Sequence, residues 1–201
     1  MKAWLQRSGS SRPQVTLTTS ERGMARTLDC RTMPFELPDN LHPDCGPIAW
    51  LLGTWRGNGH GDYPTIEPFQ FGQELIFTHD GRPFFHYFSR SWIVDEKGEF
   101  VRDAALETGF LRCKPGENAG EARVELVLAH NTGFVEIWYG HAEGGKLEIV
   151  TDAVARTETA KEYVGGKRLY GNVEGDLLYA YDMAAMGQAL QPHLWARLQR
   201  A

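Results

Sequence analysis

The sequence predicts an all-β protein, an antiparallel up-and-down β-barrel of about ten strands. Apolar residues recur with a period of two in short segments, and turns rich in Gly, Asn and Asp separate these segments without long helical stretches between them. Consecutive strands joined by short turns form a meander, which should close on itself because closure removes exposed edges. Such a barrel is expected to have an interior too wide for its own side chains to fill, with room for one small ligand.

The ordered region is expected to begin near Pro38. Residues 46–53, GPIAWLLG, are too few for a long helix and predict a short helical turn before strand 1 that closes one end of the barrel. Period-two strands are then expected at 71–81, 84–94, 105–113, 122–130, 134–141, 146–155, 163–173 and 176–184. The turns between them are indicated by Asp80-Gly81, Asp95 to Gly98, Pro115-Gly116, Asn131-Thr132-Gly133, Gly144-Gly145 and Glu174-Gly175.

The first 33 residues differ in composition from the rest of the chain. They carry six basic and two acidic residues, are rich in Ser, Thr and Arg, and show no sustained period. We therefore interpret residues 1–33 as a disordered N-terminal extension and residues 38–201 as the folded domain. The formal net charge is -5 for the whole chain, so the domain is acidic. An acidic domain argues against nucleic acid as a partner, because phosphate binding requires clustered Lys and Arg.

Composition also bears on the compartment. No apolar run approaches the ~20 residues that a membrane span needs, and the N-terminus shows no continuous apolar segment of a secretory signal. The three cysteines, Cys30, Cys45 and Cys113, have no metal-type spacing. An odd number of cysteines without a CxxC motif fits unpaired structural thiols in a reducing compartment, so we expect a cytoplasmic protein.

Residues 53–66, GTWRGNGHGDYPTI, place glycines at alternate positions after Trp55. The segment is neither a dinucleotide fingerprint nor a P-loop, because Pro64 follows soon without a helix and the GK[ST] ending is missing. Glycines at alternate positions of a strand lie on one face. A face without side chains admits either a neighbouring strand or a flat ligand close to the backbone, and the residues alone leave both readings open.

The same segment resembles the GxWxGxGxGxYPTI motif of the nitrobindin family, and every fixed position of that motif is present. The resemblance covers about residues 40–200. The further segments that carry it are FFHYFSRSW (84–92), LETGFLR (106–112), VELVLAHNTGFVEIWYG (124–140) and RLYGNVEGDLLYAYDMAAMGQALQPHLWARL (168–198).

The resemblance implies a barrel like those of lipocalins and fatty-acid-binding proteins, with ferric haem b seated in its mouth. Members of the family bind nitric oxide and isomerise peroxynitrite to nitrate. The chain is therefore expected to be a haem-dependent peroxynitrite isomerase, in which the iron acts as a Lewis acid and no side chain serves as general acid or base. Peroxynitrite and nitric oxide are the expected ligands. We expect a monomer or homodimer that binds neither nucleic acid nor membrane.

The resemblance also names site residues. The family's iron ligand is a histidine that follows a Gln-Pro turn near the C-terminus, and the sequence QPHLW places His193 there, at the opening of the last strand. A neutral imidazole is a good iron ligand, and its other ring nitrogen can be oriented by a carbonyl or water. Thr65 is expected beside the haem, donating to a propionate or a bound water. Lys167 and Arg168 are expected to bind the propionates. A turn-stabilising Thr65 and a solvated pair of cations remain the alternatives.

Two other histidines are candidates for the rim or the cavity of the site. His60 occupies a variable position of the glycine motif and is expected at the rim. His86 would reach the cavity if its strand face points inward. Trp55 and Tyr63 are expected to be packing residues. No functional role is expected for the remaining histidines, which fall near strand ends or turns: His42, His79, His130 and His141.

Two alternative functions would use the same barrel. One is a non-catalytic carrier of a fatty acid or another small apolar ligand, which needs a cationic or tyrosine partner deep inside for the carboxylate. The sequence does not place such a group. The other is a haem-based nitric oxide carrier or sensor, which would share the haem site without turnover.

Overall fold

The computed structural model describes residues 36–201, and its ten β-strands form a closed antiparallel barrel. A 3-10 helix, η1 (Pro43–Leu51), precedes the strands. In chain order the strands are β1 (Gly53–Tyr63), β2 (Ile66–Thr78), β3 (Phe84–Val94), β4 (Phe100–Pro115), β5 (Ala122–His130), β6 (Phe134–Glu143), β7 (Lys146–Arg156), β8 (Tyr163–Val173), β9 (Asp176–Ala185) and β10 (Gln191–Arg200). Each strand pairs with its chain neighbours, and β1 closes the barrel by pairing with β10. The predicted up-and-down barrel is confirmed.

Some strand boundaries differ from the prediction. β2 begins at Ile66 and β4 at Phe100, each five residues earlier than expected, and β4 also includes Pro115, which was assigned to a turn. His193 lies inside β10 rather than at its opening. These strand ends carry exposed side chains, so they lack the apolar alternation of the core, yet their backbone groups still find partners on the next strand.

Part of the sequence lies beyond what the structure describes. The predicted disordered extension, residues 1–33, and Cys30 within it fall outside residues 36–201. Cys45 and Cys113 are buried free thiols, as predicted. Within residues 36–201, no helix is both long enough and apolar enough to cross a membrane.

Helix η1 closes the end of the barrel at which β1 begins. Its side chains Cys45, Ile48 and Leu51 are buried in the core, and the helix packs against β4, β5 and β6. The indole nitrogen of Trp55 donates to the carbonyl oxygen of Leu51 at 2.8 Å, which ties the helix to the first strand. The predicted helical plug and the packing role of Trp55 are therefore confirmed.

Large buried side chains line the barrel interior. Those under 2% exposed include Trp55, Phe71, Tyr87, Trp138, Arg168 and Tyr170. These side chains occupy interior volume that the sequence predicts to be open to a ligand. A ligand is instead expected at the opposite end, which we call the mouth. The mouth consists of the connections β1–β2, β3–β4, β5–β6, β7–β8 and β9–β10, with the strand ends beside them.

Alternate glycines of β1 bring this strand close to β10. A Cβ added at Gly57 would collide with the carbonyl oxygen of Arg197 and lie 2.9 Å from the Cα of Leu198. One added at Gly59 would collide with the carbonyl oxygen of Trp195. Because backbone atoms of β10 obstruct both positions, and the Phe71 ring also obstructs Gly59, close packing explains these two glycines better than ligand approach does.

Gly57→Ala is expected to lower the free energy of unfolding by about 1–3 kcal/mol, since β1 and β10 must separate to admit the methyl group. Gly171→Ala is the matched control, because Gly171 also lies inside a strand and an added Cβ there meets nothing within 4 Å. The control should stay within about 0.5 kcal/mol of the parent protein. Urea denaturation measures both variants, and equal midpoints would contradict the packing role of Gly57.

Candidate functional site at the barrel mouth

A β-bulge in β10 turns His193 toward the inside of the mouth. Pro192 pairs with Asp182 of β9 and Leu194 pairs with the next residue, Tyr181, so His193 is the extra residue between two consecutive pairs. A bulge of this kind redirects a side chain that regular alternation would place on the other face. The His193 side chain is half-buried as a result.

A matching irregularity in β1 presents a carbonyl group to the imidazole. The pairing of β1 with β2 shifts between Gly61 and Tyr63, which takes Asp62 out of register. The Nδ1 atom of His193 lies 3.0 Å from the carbonyl oxygen of Asp62. Because a carbonyl oxygen only accepts hydrogen bonds, Nδ1 carries the proton and donates it. Nε2 therefore keeps its lone pair and is the nitrogen able to bind a metal.

Three aromatic rings surround the imidazole of His193. Its centroid lies 5.3 Å from that of Tyr63, 5.9 Å from that of Tyr181 and 6.2 Å from that of Phe69, all edge-on. The Tyr63 hydroxyl accepts from the backbone N–H of Ala185 at 2.9 Å, so this ring is itself fixed and its expected packing role is confirmed. Burial lowers the pKa of His193, and its hydrogen bond to the backbone opposes that shift without reversing it. The imidazole is therefore neutral at pH 7, the form that binds metal.

Large apolar side chains are exposed at the mouth. They lie at strand starts and in connections at the His193 end and are 45–66% exposed: Ile66, Phe100, Val101, Val164, Met186 and Leu190. Comparably exposed apolar side chains also lie on the outer wall, among them Phe110, Val150 and Trp195, so those at the mouth fit a partly apolar ligand but do not by themselves mark its site.

These features fit a haem group held by one histidine. The donor is a neutral imidazole whose Nε2 lone pair is directed away from Asp62, and one such nitrogen is a common axial ligand for haem iron. Aromatic and apolar side chains around it suit the faces of a porphyrin. Since the interior near η1 is filled, the group would occupy the mouth rather than the centre of the barrel.

The structure places the other predicted site residues apart from one another. Thr65 is exposed in the β1–β2 turn, at the mouth. Lys167 and Arg168 are neighbours on β8 and so point to opposite faces. The Nζ atom of Lys167 lies 2.6 Å from a carboxylate oxygen of Glu148 on the outer wall, whereas Arg168 is buried inside the barrel. The two cations are therefore not brought together, and Lys167 would have to leave Glu148 to bind a propionate.

Arg168 forms a largely buried ion pair with Glu107. Its Nη1 and Nη2 atoms donate to the two carboxylate oxygens at 2.7 and 2.8 Å, and the Tyr87 hydroxyl donates to the same carboxylate at 2.8 Å. The guanidinium also lies over the rings of Trp138 and Tyr181. Although burial opposes the shift, Arg168 lowers the pKa of Glu107 from 4.5 to about 2. An arginine neutralised in this way is not available for the carboxylate of a fatty acid.

His60 and His86 both lie on the outer wall. His60 is exposed and stacks on Trp195 with ring centroids 5.5 Å apart. His86 is exposed, and its Nε2 atom lies 3.1 Å from the hydroxyl oxygen of Thr108. Neither imidazole points into the barrel, so the face that carries His86 is the outward one.

Sequence reasoning missed a buried polar chain that begins beside His193. The Tyr181 hydroxyl donates to the Tyr163 hydroxyl at 2.9 Å, and Tyr163 donates to Glu136 Oε1 at 2.5 Å. We call these three residues the tyrosine–glutamate chain. His130, for which no role was expected, has its Nε2 atom 2.8 Å from Glu136 Oε2. Strand alternation alone indicates that both tyrosines point inward, but nothing in the sequence shows that they meet Glu136.

Comparisons with known proteins agree with this geometry. Residues 44–200 match the family described as THAP4-like, heme-binding beta-barrel domain. A protein from a Nocardioides species, named peroxynitrite isomerase, is 79% identical over 168 residues, which cover 84% of this chain and 99% of that protein. A ferric nitrobindin-like protein from Cutibacterium acnes is 44% identical over 170 residues, covering 84% of this chain and 100% of the relative. The crystal structure of Rv2717c from M. tuberculosis has a TM-score of 0.70 at 37% identity and covers 80% of this chain and 99% of its own. The family match spans all the strands and includes His193.

Proposed function

Because the chain belongs to the family of THAP4-like, heme-binding β-barrel domains, we propose that it is a ferric haem protein that isomerises peroxynitrite to nitrate and binds nitric oxide at the iron. The observation that carries the proposal is the state of His193, whose Nδ1 atom donates to Asp62 and whose Nε2 atom is left as a ligand. The name of the 79% identical relative supports the reaction, and the ferric nitrobindin-like relative supports ferric haem b as the cofactor.

The side chains of the mouth hold and orient rather than react. When bound, haem b supplies a Lewis-acidic ferric centre that weakens the O–O bond of peroxynitrite. His193 provides one imidazole nitrogen, the Asp62 carbonyl fixes its tautomer, and Tyr63 packs against the ring. Peroxynitrite and nitrate are isomers with the same atoms and charge. The reaction therefore needs no general acid or base, which agrees with the aromatic rings that surround His193.

We assign the propionate contact first to Thr65. Its side chain is exposed at the mouth, and its hydroxyl can donate to a carboxylate or to a bound water. Lys167 would become available by exchanging Glu148 for a propionate. Arg168 would become available only by losing its pair with Glu107, which costs more because Arg168 is buried. The order of these three residues as propionate partners is therefore Thr65, Lys167, Arg168.

The two alternative functions differ in how well they fit the structure. A fatty-acid carrier lacks support, since Glu107 neutralises Arg168 and aromatic rings fill the neighbouring interior. A nitric oxide carrier or sensor would use the same haem without turnover, and the reaction test below separates it from the isomerase. We also propose a cytoplasmic monomer or homodimer that binds neither nucleic acid nor membrane, and the free thiols of Cys45 and Cys113 favour that reducing compartment.

Stopped-flow mixing of the haem-loaded protein with peroxynitrite tests the reaction. We expect peroxynitrite to decay faster than with an equal concentration of free haem, with nitrate as the product rather than nitrite. The variant His86→Ala, which changes a side chain on the outer wall, should accelerate the decay of peroxynitrite as much as the parent protein does. Decay no faster than with free haem would contradict the isomerase and favour the nitric oxide carrier.

A further inference from the structure

The tyrosine–glutamate chain is buried and closely fitted into the barrel. Tyr163, Tyr181 and Glu136 are all buried, and the Thr151 hydroxyl also donates to Glu136 Oε1 at 3.2 Å. A Cβ added at Gly166 would lie 3.2 Å from the Tyr163 hydroxyl oxygen and 2.5 Å from the ring of Tyr181. A residue larger than glycine there would push the two phenols apart. The isomerisation described above uses none of these groups.

Glu136 is placed to accept a proton from Tyr163. The phenol donates directly to Oε1 at 2.5 Å, and the other oxygen, Oε2, is buried without an aligned hydrogen bond, 2.8 Å from His130 Nε2. Burial, with the nearby charge of Glu136, raises the pKa of Tyr163, so the phenol is protonated at neutral pH. A phenol that loses an electron becomes strongly acidic. Oxidation of Tyr163 therefore requires a base within hydrogen-bond reach, and Glu136 is that base.

We propose that Tyr163 is a redox-active residue that reduces nitrogen dioxide to nitrite, with Glu136 as the acceptor of its phenolic proton. The inference rests on the proposed function, because peroxynitrite releases nitrogen dioxide when its O–O bond breaks. Nitrogen dioxide takes one electron from Tyr163 and leaves as nitrite, the phenolic proton moves to Glu136 Oε1, and a phenoxyl radical remains. A second nitrogen dioxide couples to the ring carbon beside the phenoxyl oxygen. Loss of that carbon's hydrogen as a proton to solvent restores the aromatic ring, and return of the proton from Glu136 Oε1 to the phenolate oxygen gives 3-nitrotyrosine.

The chain is accessible to a small neutral oxidant from two sides. Tyr181 contacts the imidazole of His193 at the mouth, and its hydroxyl bonds to Tyr163. On the other side, a pocket of about 380 Å³ is lined by His130 and Phe134 among others, and the Phe134 ring stacks on Tyr163 with centroids 4.7 Å apart. These two sides are the routes by which nitrogen dioxide would reach the tyrosine–glutamate chain.

Tyr87 provides an internal comparison. It is also buried and also donates to a carboxylate, Glu107, at 2.8 Å. Arg168 neutralises that carboxylate and holds its pKa at about 2, despite the opposing effect of burial, so Glu107 is a weak proton acceptor. Tyr163 and Tyr87 thus share burial and a carboxylate partner, but the partner of Tyr87 is held in a two-point pair with Arg168, whereas the partner of Tyr163 faces His130.

Radiolysis of nitrite solutions generates nitrogen dioxide without peroxynitrite, so it tests Tyr163 independently of the isomerase. In the haem-loaded protein, electron paramagnetic resonance should detect a tyrosyl radical. Peptide mapping should then find 3-nitrotyrosine at Tyr163 at least about tenfold above the level at Tyr87, since a positioned base contributes on the order of 10²–10⁴-fold. Equal nitration of the two residues would overturn the proposal.

Variants separate the redox role from packing. Glu136→Gln keeps a carbonyl acceptor for the Tyr163 hydroxyl but removes the base, so nitration of Tyr163 should fall at least about tenfold. Tyr163→Phe should abolish the radical signal. Tyr139→Phe is the matched control, because Tyr139 is 46% exposed, and it should leave the signal unchanged. A signal that persists in Tyr163→Phe, or is lost in Tyr139→Phe, would overturn the assignment.

A second series with peroxynitrite in place of radiolysis distinguishes the two proposals. A radical at Tyr163 under radiolysis, combined with peroxynitrite decay no faster than with free haem, would contradict the isomerase and support the redox role. Rapid decay to nitrate, with no radical at Tyr163 in either series, would support the isomerase and overturn the redox role.

Discussion

Replacing His193 with alanine is expected to abolish the Soret absorption of the purified protein. His193 is the side chain proposed to bind the iron through Nε2, so its loss removes the bond that holds the haem in the mouth. Loss of an outer-shell partner alone costs about 10–100-fold in metal affinity, and loss of the ligand itself should lower haem affinity by more than about 100-fold. Titration of the apoprotein with haemin, followed by absorbance, measures the change.

His60→Ala is the control for that experiment. His60 lies on the outer wall and stacks on Trp195, so its loss should leave haem affinity unchanged. Far-ultraviolet circular dichroism shows whether His193→Ala keeps the barrel. A folded His193→Ala protein that binds haem as tightly as the parent would show that another group holds the iron.

Glu107→Ala is expected to lower the free energy of unfolding by about 3–5 kcal/mol, because it leaves the buried Arg168 without a counter-charge. Urea denaturation measures the loss. Glu125→Ala is the matched control, because its carboxylate pairs with Arg112 at 2.6 Å on the surface, where an ion pair contributes about 0–1 kcal/mol. The double variant Glu107→Leu, Arg168→Met should recover most of the stability, since it removes both charges. Similar losses in Glu107→Ala and Glu125→Ala would contradict the buried pair.

The ion pair of Glu107 and Arg168 also makes the stability of the fold depend on pH. Although burial opposes it, Arg168 lowers the folded-state pKa of Glu107 from 4.5 to about 2. A carboxyl group with a lower pKa in the folded state stabilises the fold above its unfolded pKa, and that contribution is lost as the pH falls from 4.5 toward 2. Acid titration of the unfolding free energy should show this loss in the parent protein, and the component should be absent in Glu107→Gln.

The sequence predicts the bounds of a strand correctly where one face of that strand is buried. The segments at residues 122–130 and 163–173 alternate apolar and polar residues because one side meets the core, and their predicted bounds agree with β5 and β8. The first five residues of β4 are exposed except Ala104, which is half-buried. Backbone pairing with β3, rather than side-chain burial, holds this part of the strand, so no period-two pattern marks it.

The sequence predicts only part of the candidate site. His193 was identified by its resemblance to a motif, but its orientation depends on a bulge in β10 and on a register shift at Asp62, which are backbone irregularities without a residue pattern. The pair of Arg168 and Glu107 joins residues 61 positions apart on strands that are not neighbours. Barrel closure brings these two charges together, so spacing along the chain carries no information about their contact.

Electron–nuclear double resonance of the ferric protein, grown with nitrogen-15-labelled histidine, tests most directly whether His193 binds the iron. The account predicts coupling from a single histidine nitrogen to the iron, in addition to the porphyrin nitrogens, and its disappearance in His193→Ala. Coupling that persists in His193→Ala, or its absence in the parent protein, would contradict the assignment of His193 as the axial ligand.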